Sequence, residues 1–370
     1  MKKNSKSVAK RASKAKRRQD EQLTVGIDLG DRFSWYSIQN AAGEEIESGK
    51  IATTREALSK HFGGEPRRRI VIEAGTHSNW VRTHLEKLGQ EVIVANPREI
   101  PGITRSSNKS DPNDAGKLAL YGRVDPRILH PIQHRSLEAQ QDLAVLRSRH
   151  ALVGARTKLI NAARGLAKSL GHRLAKCGSE QFAQRAGQEL GVELEPSLRP
   201  MLPAIEGLNQ QIRELDHTIQ RVAQDKYPES ARLDQVWGVG VQTALAYVLT
   251  LEKAERFAKS RTAGSFIGLQ PKRSQSGGRD PQLGISKAGN GHLRWLLVEC
   301  AQRILSRRAP DSQLRQWGLK LCERGGKNAK KRAIVAVARK LSVLWHKLWA
   351  SGEAYDPWHG RRQQQSAVAA

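Results

Sequence analysis

A hydroxyl set before paired glycines, Ser274-Gln275-Ser276-Gly277-Gly278, and four acids far upstream, Asp28, Glu73, Asp111 and Asp114, are the side chains that could do chemistry. Two glycines let a backbone approach a ligand closely and clear space around the preceding hydroxyl, which suits a nucleophile or a phosphate cradle. A serine-glycine stretch alone is more often a plain turn. The acids change the balance, because hard oxygen ligands hold divalent cations. Cations about 4 Å apart stabilise both the attacking and the leaving oxygen of a phosphoryl transfer. Taken singly, Asp111 reads as a helix cap, and Asp28 and Glu73 as ordinary strand-end acids. Together, in strand and helix context, they read as a metal-dependent nuclease site.

The elements that must position these acids follow from the apolar pattern. Leu23 to Asp28 is a buried-strand pattern ending in an acid; Phe33 to Ile38 alternates as an aromatic strand after a Gly30-Asp31 turn; Ile46 to Ile51 supplies a third strand. A short helix over Arg55 to Phe62 precedes Ile70-Val71-Ile72-Glu73, again a strand ending in an acid. His77 to Leu88 has helical spacing, Val92 to Val94 is a strand, and a helix opens on Asp111-Pro112-Asn113-Asp114. Asp111 is expected at the helix start, with Pro112 at the first helical position. Asp111 and Asp114, three apart, share a helix face and can both serve one site. Three antiparallel strands followed by alternating helices and strands is the order of the ribonuclease H fold, in which acids come from the first strand, the fourth strand's end and the last helix.

Lys and Arg number 63 against 36 Asp and Glu in 370 residues, a formal charge of +27. Such a chain opposes its own compaction and binds polyanions, of which nucleic acid is the expected one. No apolar run approaches the roughly 20 residues needed to span a bilayer, and the N-terminus lacks an apolar signal core. A soluble, cytoplasmic protein, nucleoid-associated when acting and making no membrane contact, is expected. Cys177, Cys300 and Cys322 have neither metal spacing nor an even count, and no chemistry is assigned to them.

Residues 1–21 are rich in Lys, Arg and Ser without apolar periodicity and are expected to form a disordered arm. From Leu137 to Leu174 the pattern is helical and Arg-rich, and Ile205, Leu208, Ile212, Leu215, Ile219 and Val222 alternate three and four apart, a coiled-coil seam. The seam fits an antiparallel hairpin closed on itself or an oligomerisation arm, and the arm is the expectation taken forward. Gly171 and the stretch from Gly187 to Pro203 are expected to interrupt the helices. Val236-Trp237-Gly238-Val239-Gly240-Val241 resembles a helix-hairpin-helix turn, in which Gly238 and Gly240 would offer backbone N–H groups to phosphates. Amphipathic helices are expected over Asn290 to Leu305, bearing Arg294, and over Lys327 to Trp349.

Gly26-Ile27-Asp28, Ile72-Glu73-Ala74, Lys109-Ser110-Asp111-Pro112-Asn113-Asp114-Ala115, Gly268-Leu269, Ser276-Gly277-Gly278, Gly284-Ile285-Ser286-Lys287 and Gly289-Asn290 resemble the motifs of the DEDD transposases of the insertion-sequence 110 family, including its 1111 subgroup. The resemblance runs from Val25 to Tyr355. It implies an α/β plus α chain: a RuvC-like catalytic domain (22–130), a helical coiled-coil linker (131–228), and a mainly helical transposase domain with a serine loop (229–355), followed by a tail (356–370). It implies that Asp28, Glu73, Asp111 and Asp114 hold Mg²⁺ or Mn²⁺, and that Ser276 is the nucleophile that forms a phosphoserine with DNA; Ser274 is the second candidate. Gly238, Gly240, Lys272, Arg273, Gly277, Gly278, Lys287 and Arg294 are the expected nucleic-acid contacts. The implied partners are donor and target duplex DNA, a non-coding bridge RNA encoded by the element, and further copies of the chain, a dimer or a tetramer in the synaptic complex. A resolvase-type endonuclease that uses water and a non-catalytic nucleic-acid scaffold are the alternatives. The serine loop argues against the first and the acids against the second.

Overall fold

β1 (Thr24–Asp28) buries Thr24, Val25, Gly26 and Ile27, so it has no polar face and must lie mid-sheet, covered on both sides. In the computed structural model, which describes residues 23–100, 110–281 and 283–358, it does. The expected arm, Lys109 and the tail from residue 359 lie outside the described residues. The chain divides into two compact units between Leu137 and Glu138.

In the first unit, β1 is flanked by β2 (Phe33–Gln39) and by β4 (Arg69–Glu73). With β3 (Glu45–Ala52) and β5 (Glu91–Ala95) the sheet order is β3-β2-β1-β4-β5. β1, β2 and β3 are antiparallel neighbours, whereas β1, β4 and β5 run parallel. This is the ribonuclease H order expected from the sequence. β3 carries Glu45, Glu47 and Lys50 on an exposed edge, and such charges discourage pairing with another chain.

The pleat sorts the two faces. Val25, Ile27, Ile70 and Ile72 pack with Leu58 and Phe62 of α1 (Arg55–Phe62) and with Val81 and Leu85 of α2 (Ser78–Lys87). The Thr54 hydroxyl caps α1 by accepting from the Ala57 N–H at 3.2 Å. On the opposite face Val71, Ala95 and Leu129 pack with Leu118 of α3 (Asp111–Val124). A Cβ on Gly26 would collide with the Ala115 carbonyl oxygen and the Ala119 amide nitrogen, so glycine is what lets α3 rest directly on β1.

The second unit is helical. α4 (Leu137–Ser169) and α6 (Met201–Lys226) run antiparallel, tied by Arg149 to Asp216, by Arg156 Nη1 donating to Asn209 Oδ1 at 2.8 Å, and by Lys226 to Asp142 at 3.2 Å. Ile205, Ile212 and Ile219 of the expected seam are buried within this one chain. At the far end of the pair, α5 (Phe182–Glu189) closes a small core with Ile160, Ala163 and Ile205. The expected break at Gly187 falls inside α5, where glycine sits against Leu202 Cδ1, and the break actually begins after Glu189. Gly171 does end a segment, with φ +81°.

The other end of the pair joins a larger core. There α7 (Val241–Leu251) is buried from Thr243 to Leu251 and is packed with α8 (Ser260–Phe266), α9 (Gly291–Ile304), α10 (Gln313–Cys322) and α11 (Ala329–Ser351). A helix apolar all round must be surrounded. The Tyr247 hydroxyl donates to the Ser342 carbonyl at 2.6 Å, and its ring lies 5.1 Å from that of Trp345. Among the described residues no helix is long and apolar enough to cross a membrane.

Candidate catalytic acids and serine loop

Parallel pairing runs up to Ile27 with Ile72, and the next residues along the two strands, Asp28 and Glu73, stand at the carboxyl ends of β1 and β4. Ligands of open α/β sheets bind outside such strand ends. The contact at Gly26 fixes the third acid. With Ala115 over Gly26 and Gly122 against Thr24 and Val71, α3 runs antiparallel to β1, so its first turn lies at the end that carries Asp28.

Asp114 in that turn is only 4% exposed, and its Oδ1 has no hydrogen-bond donor. Lys117 Nζ lies 3.5 Å away, an ion-pair distance. A buried carboxylate oxygen costs free energy unless a cation faces it, and Lys117 is that cation here, at ion-pair distance and without a hydrogen bond. Asp111 differs, being exposed. Ser110, with extended φ −150° and ψ 146°, takes the capping place expected for Asp111, which is the first helical residue. Among the described residues no three acid, histidine or cysteine side chains are gathered as a group that could hold a metal ion. The donor types and the buried Asp114 Oδ1, which accepts no hydrogen bond, nonetheless fit a hard divalent cation.

The serine loop is a hairpin on a narrow neck. Ser276 and Arg279 exchange backbone hydrogen bonds of 3.2 and 3.1 Å around Gly277-Gly278, with Gly277 at φ +56°, a conformation that glycine adopts without strain. The stem continues through Lys272 N–H to Gly284 O at 2.8 Å and Ser286 N–H to Gln270 O at 2.8 Å. At the neck, Gly268 (φ +80°) lies against the backbone of Ala288, and Gly289 (φ +67°) against the Phe266 carbonyl. Arg294 Nη1 donates to Ile267 O at 2.9 Å and to Ala288 O at 2.7 Å, which makes this expected nucleic-acid contact a clamp on the loop's base as well. Ser274 and Ser276 are both exposed at the tip, with Lys272, Arg273, Gly278 and, nearer the neck, Lys287. Arg273 faces Asp280 at 3.4 Å.

The Gly238 to Gly240 turn opens α7, and Gly238 has φ +85°. It borders a cleft of about 580 Å³ that sequence reasoning missed, lined by Arg149 and His150 of α4, Asp216 of α6, and His292, Trp295 and Arg303 of α9. Burial, then the neighbouring charges of His150 and Arg147, push His292 down to about 4. These residues lie on three helices distant in sequence, so no local pattern announces the cleft.

Comparison with known proteins gives consistent matches. Residues 25–171 match a DEDD transposase family, described as Transposase, and residues 230–316 match the Transposase IS116/IS110/IS902 family. The transposase for insertion sequence element IS1111A of Coxiella burnetii is 33% identical over 287 residues, 75% of this chain and 76% of that protein. The transposase for insertion sequence element IS1328 of Yersinia enterocolitica is 27% identical over 299 residues, 79% of this chain and 87% of that protein. Among solved structures, Thermus thermophilus RuvC is similar over 28% of this chain and 96% of that chain, with 12% identity and a TM-score of 0.20.

Proposed function

The chain belongs to the IS116/IS110/IS902 family of transposases, and on that premise we propose that it cuts and rejoins DNA through a serine–DNA ester, guided by an RNA from its own element. The observation that carries this reading is the pairing of two features in one chain. One is a set of acids at the strand ends and the facing helix of a ribonuclease H sheet, with a buried Asp114 oxygen that accepts no hydrogen bond. The other is an exposed serine held at the tip of a hairpin whose neck is locked by Gly268, Gly289 and Arg294.

Asp28, Glu73, Asp111 and Asp114 would hold divalent metal, Mg²⁺ or Mn²⁺. When bound, such cations supply charge neutralisation at the phosphate and lower the pKa of a coordinated hydroxyl. Ser276 Oγ attacks phosphorus as its proton leaves; the P–O3′ bond breaks, the 3′ oxygen takes up a proton, and the 5′ phosphate remains esterified to the serine. Attack by a 3′ hydroxyl of another strand reverses each step and restores a phosphodiester, so bond energy is conserved and no cofactor is consumed. Water as nucleophile would only cut. Gly277 and Gly278 keep the space beside Ser276 open, and Lys272, Arg273 and Lys287 supply cationic contacts to phosphate.

Guidance by a bridge RNA and assembly into dimers or tetramers belong to the same reading. Support for the RNA is the family membership together with the charge of +27, which one duplex contact would leave largely unneutralised. Incubating the protein with its co-purifying RNA, Mg²⁺ and DNA should yield a complex that survives denaturant and is released by protease. Ser276→Ala should bind DNA but form no such complex, whereas Ser274→Ala should keep part of the activity. Exchange of those two results moves the nucleophile to Ser274, and free DNA ends with no covalent complex favour the water-using endonuclease.

A further inference from the structure

On the sheet face that α3 covers, Asp28 of β1 pairs with Trp35 of β2, and Trp35 pairs with Lys50 of β3. Directly opposed residues of an antiparallel ladder point to the same face, so a catalytic acid, an aromatic ring and an ammonium group form one row across three strands. Phe33, two residues from Trp35, shares that face and lies at the same end of the sheet. Lys50 Nζ stands 4.4 Å from the Phe33 ring centroid and 5.9 Å from that of Trp35. Along β2 itself, α3 is met at the other end of the strand, where Gln39 Nε2 donates to the Gly116 carbonyl at 3.0 Å.

These rings are not core. Phe33 is 51% exposed and Trp35 half-buried, and both rings stand outside the two buried clusters of the sheet. One exposed aromatic needs no explanation. Two on one face, under a lysine and in register with a catalytic acid, have a use that the acids themselves define. Adjacent strands are about 4.8 Å apart, so Trp35 lies about 5 Å and Lys50 about 10 Å from the Asp28 position. Successive nucleotides rise about 3.4 Å when stacked and further when unstacked, which matches one to three nucleotides along that row.

We propose that Trp35 and Phe33 form a stacking platform for an unpaired nucleobase of the strand whose phosphate lies at the acids, with Lys50 released from the rings to the next phosphate. The proposal rests on the reading of Asp28, Glu73 and Asp114 as the phosphodiester site. An aromatic face needs the face of a base, and a base offers it only when pulled out of a duplex, so the ligand is single-stranded at this point. The platform thereby selects unwound DNA or DNA–RNA junctions over intact duplex.

The test uses the full-length protein in chelator, so that no cleavage intervenes, and a short duplex with an internal unpaired segment carrying 2-aminopurine at each unpaired position in turn. Fluorescence should change on binding at one or two adjacent positions only. Phe33→Ala with Trp35→Ala should abolish that change and weaken binding to the unpaired probe about tenfold, which is about 1.4 kcal/mol, while duplex affinity stays unchanged. Trp35→Phe should retain most of the signal, and Lys50→Gln should reduce the salt slope on single strands by about 0.7. Asp28→Asn should leave the fluorescence change intact, and parent protein that stacks in chelator yet fails to cleave once Mg²⁺ is restored faults the acids and not the platform. Equal losses on duplex and unpaired probes, or full affinity in the double alanine variant, overturn the proposal. So does a change in assembly state with unpaired-probe binding intact, which would assign the rings to a second copy of the chain.

Discussion

Replacing Gly26 by alanine should disable the acids without touching any of them. A Cβ at that position would sit 2.5 Å from the Ala119 amide nitrogen and closer still to the Ala115 carbonyl oxygen. Non-bonded heavy atoms of this kind settle near about 3.5 Å, so α3 must retreat from β1 by at least about 1 Å. Both obstacles are helix backbone, which cannot turn aside as a side chain can. Asp114 is one residue from Ala115 and moves with it, away from the strand ends that carry Asp28 and Glu73. A misplacement of about 1 Å in a catalytic constellation costs about a hundredfold in rate, while the overpacking destabilises the fold by about 1–3 kcal/mol. The assay compares strand cleavage under single-turnover conditions with thermal melting of the same preparation. Gly122→Ala is the control: it lies farther along the same helix, but its added Cβ meets Val71 Cγ2, a side chain that can adjust. It should melt lower yet cleave within a few-fold of the parent. Wild-type cleavage by a folded Gly26→Ala protein would refute the placement of Asp114 beside the strand ends.

Metal binding should raise the melting midpoint of the parent through mass action, by about 2.7 kcal/mol at a metal concentration 100 times the dissociation constant, and Asp114→Asn should lose that shift; an identical Mg²⁺ titration of both proteins would remove Asp114 from the site. Burial, then the charges of Arg82 and Arg135, hold His134 at about 4 against 6.5 for the free side chain. The unfolded chain therefore binds the extra proton first, and the stability this neutral histidine contributes is complete above pH 6.5 and is lost as pH falls towards 4. His134→Gln, which can still pair with the Ser78 hydroxyl, should flatten part of the decline in urea midpoints over that window; an unchanged slope would contradict the assignment. Ile212→Lys, at a position only 3% exposed, should cost about 3 kcal/mol or more and melt the α4–α6 pair, as read by circular dichroism. Retained helicity with a lower mass by light scattering would return the seam to a role between copies.

What could be read from the sequence was what is local. Strand ends bearing Asp28 and Glu73 follow from short apolar runs that stop at an acid, and the Ser276-Gly277-Gly278 turn follows from glycine's access to positive φ. The difference between Asp111 and Asp114 was not readable, because helix periodicity puts them on one face without saying how deep each lies. Depth is set by Gly26, whose role depends on a helix almost ninety residues later. The seam at Ile205, Ile212 and Ile219 illustrates the same limit. Its three-four spacing reports that a stripe is buried and carries no information on whether the covering helix belongs to the same chain. Arg294 looked like one more cation of a basic surface, and only the folded neck shows its Nη1 donating to two carbonyls. The row from Asp28 to Lys50 depends on strand register and is invisible to any window shorter than the whole hairpin pair.

The enclosure of α7 sets a timetable for synthesis. Tyr247 packs on Trp345 and reaches Ser342, so the second core cannot close until α11 has left the ribosome, roughly two hundred residues after the first unit is complete. At bacterial-type elongation rates of about 5–20 residues per second this is about 10–40 s. During that interval each nascent chain carries a finished sheet and an open second core. A message cut short before α11 yields a protein permanently in that condition, its sheet complete and Tyr247 without the ring and the carbonyl that enclose it.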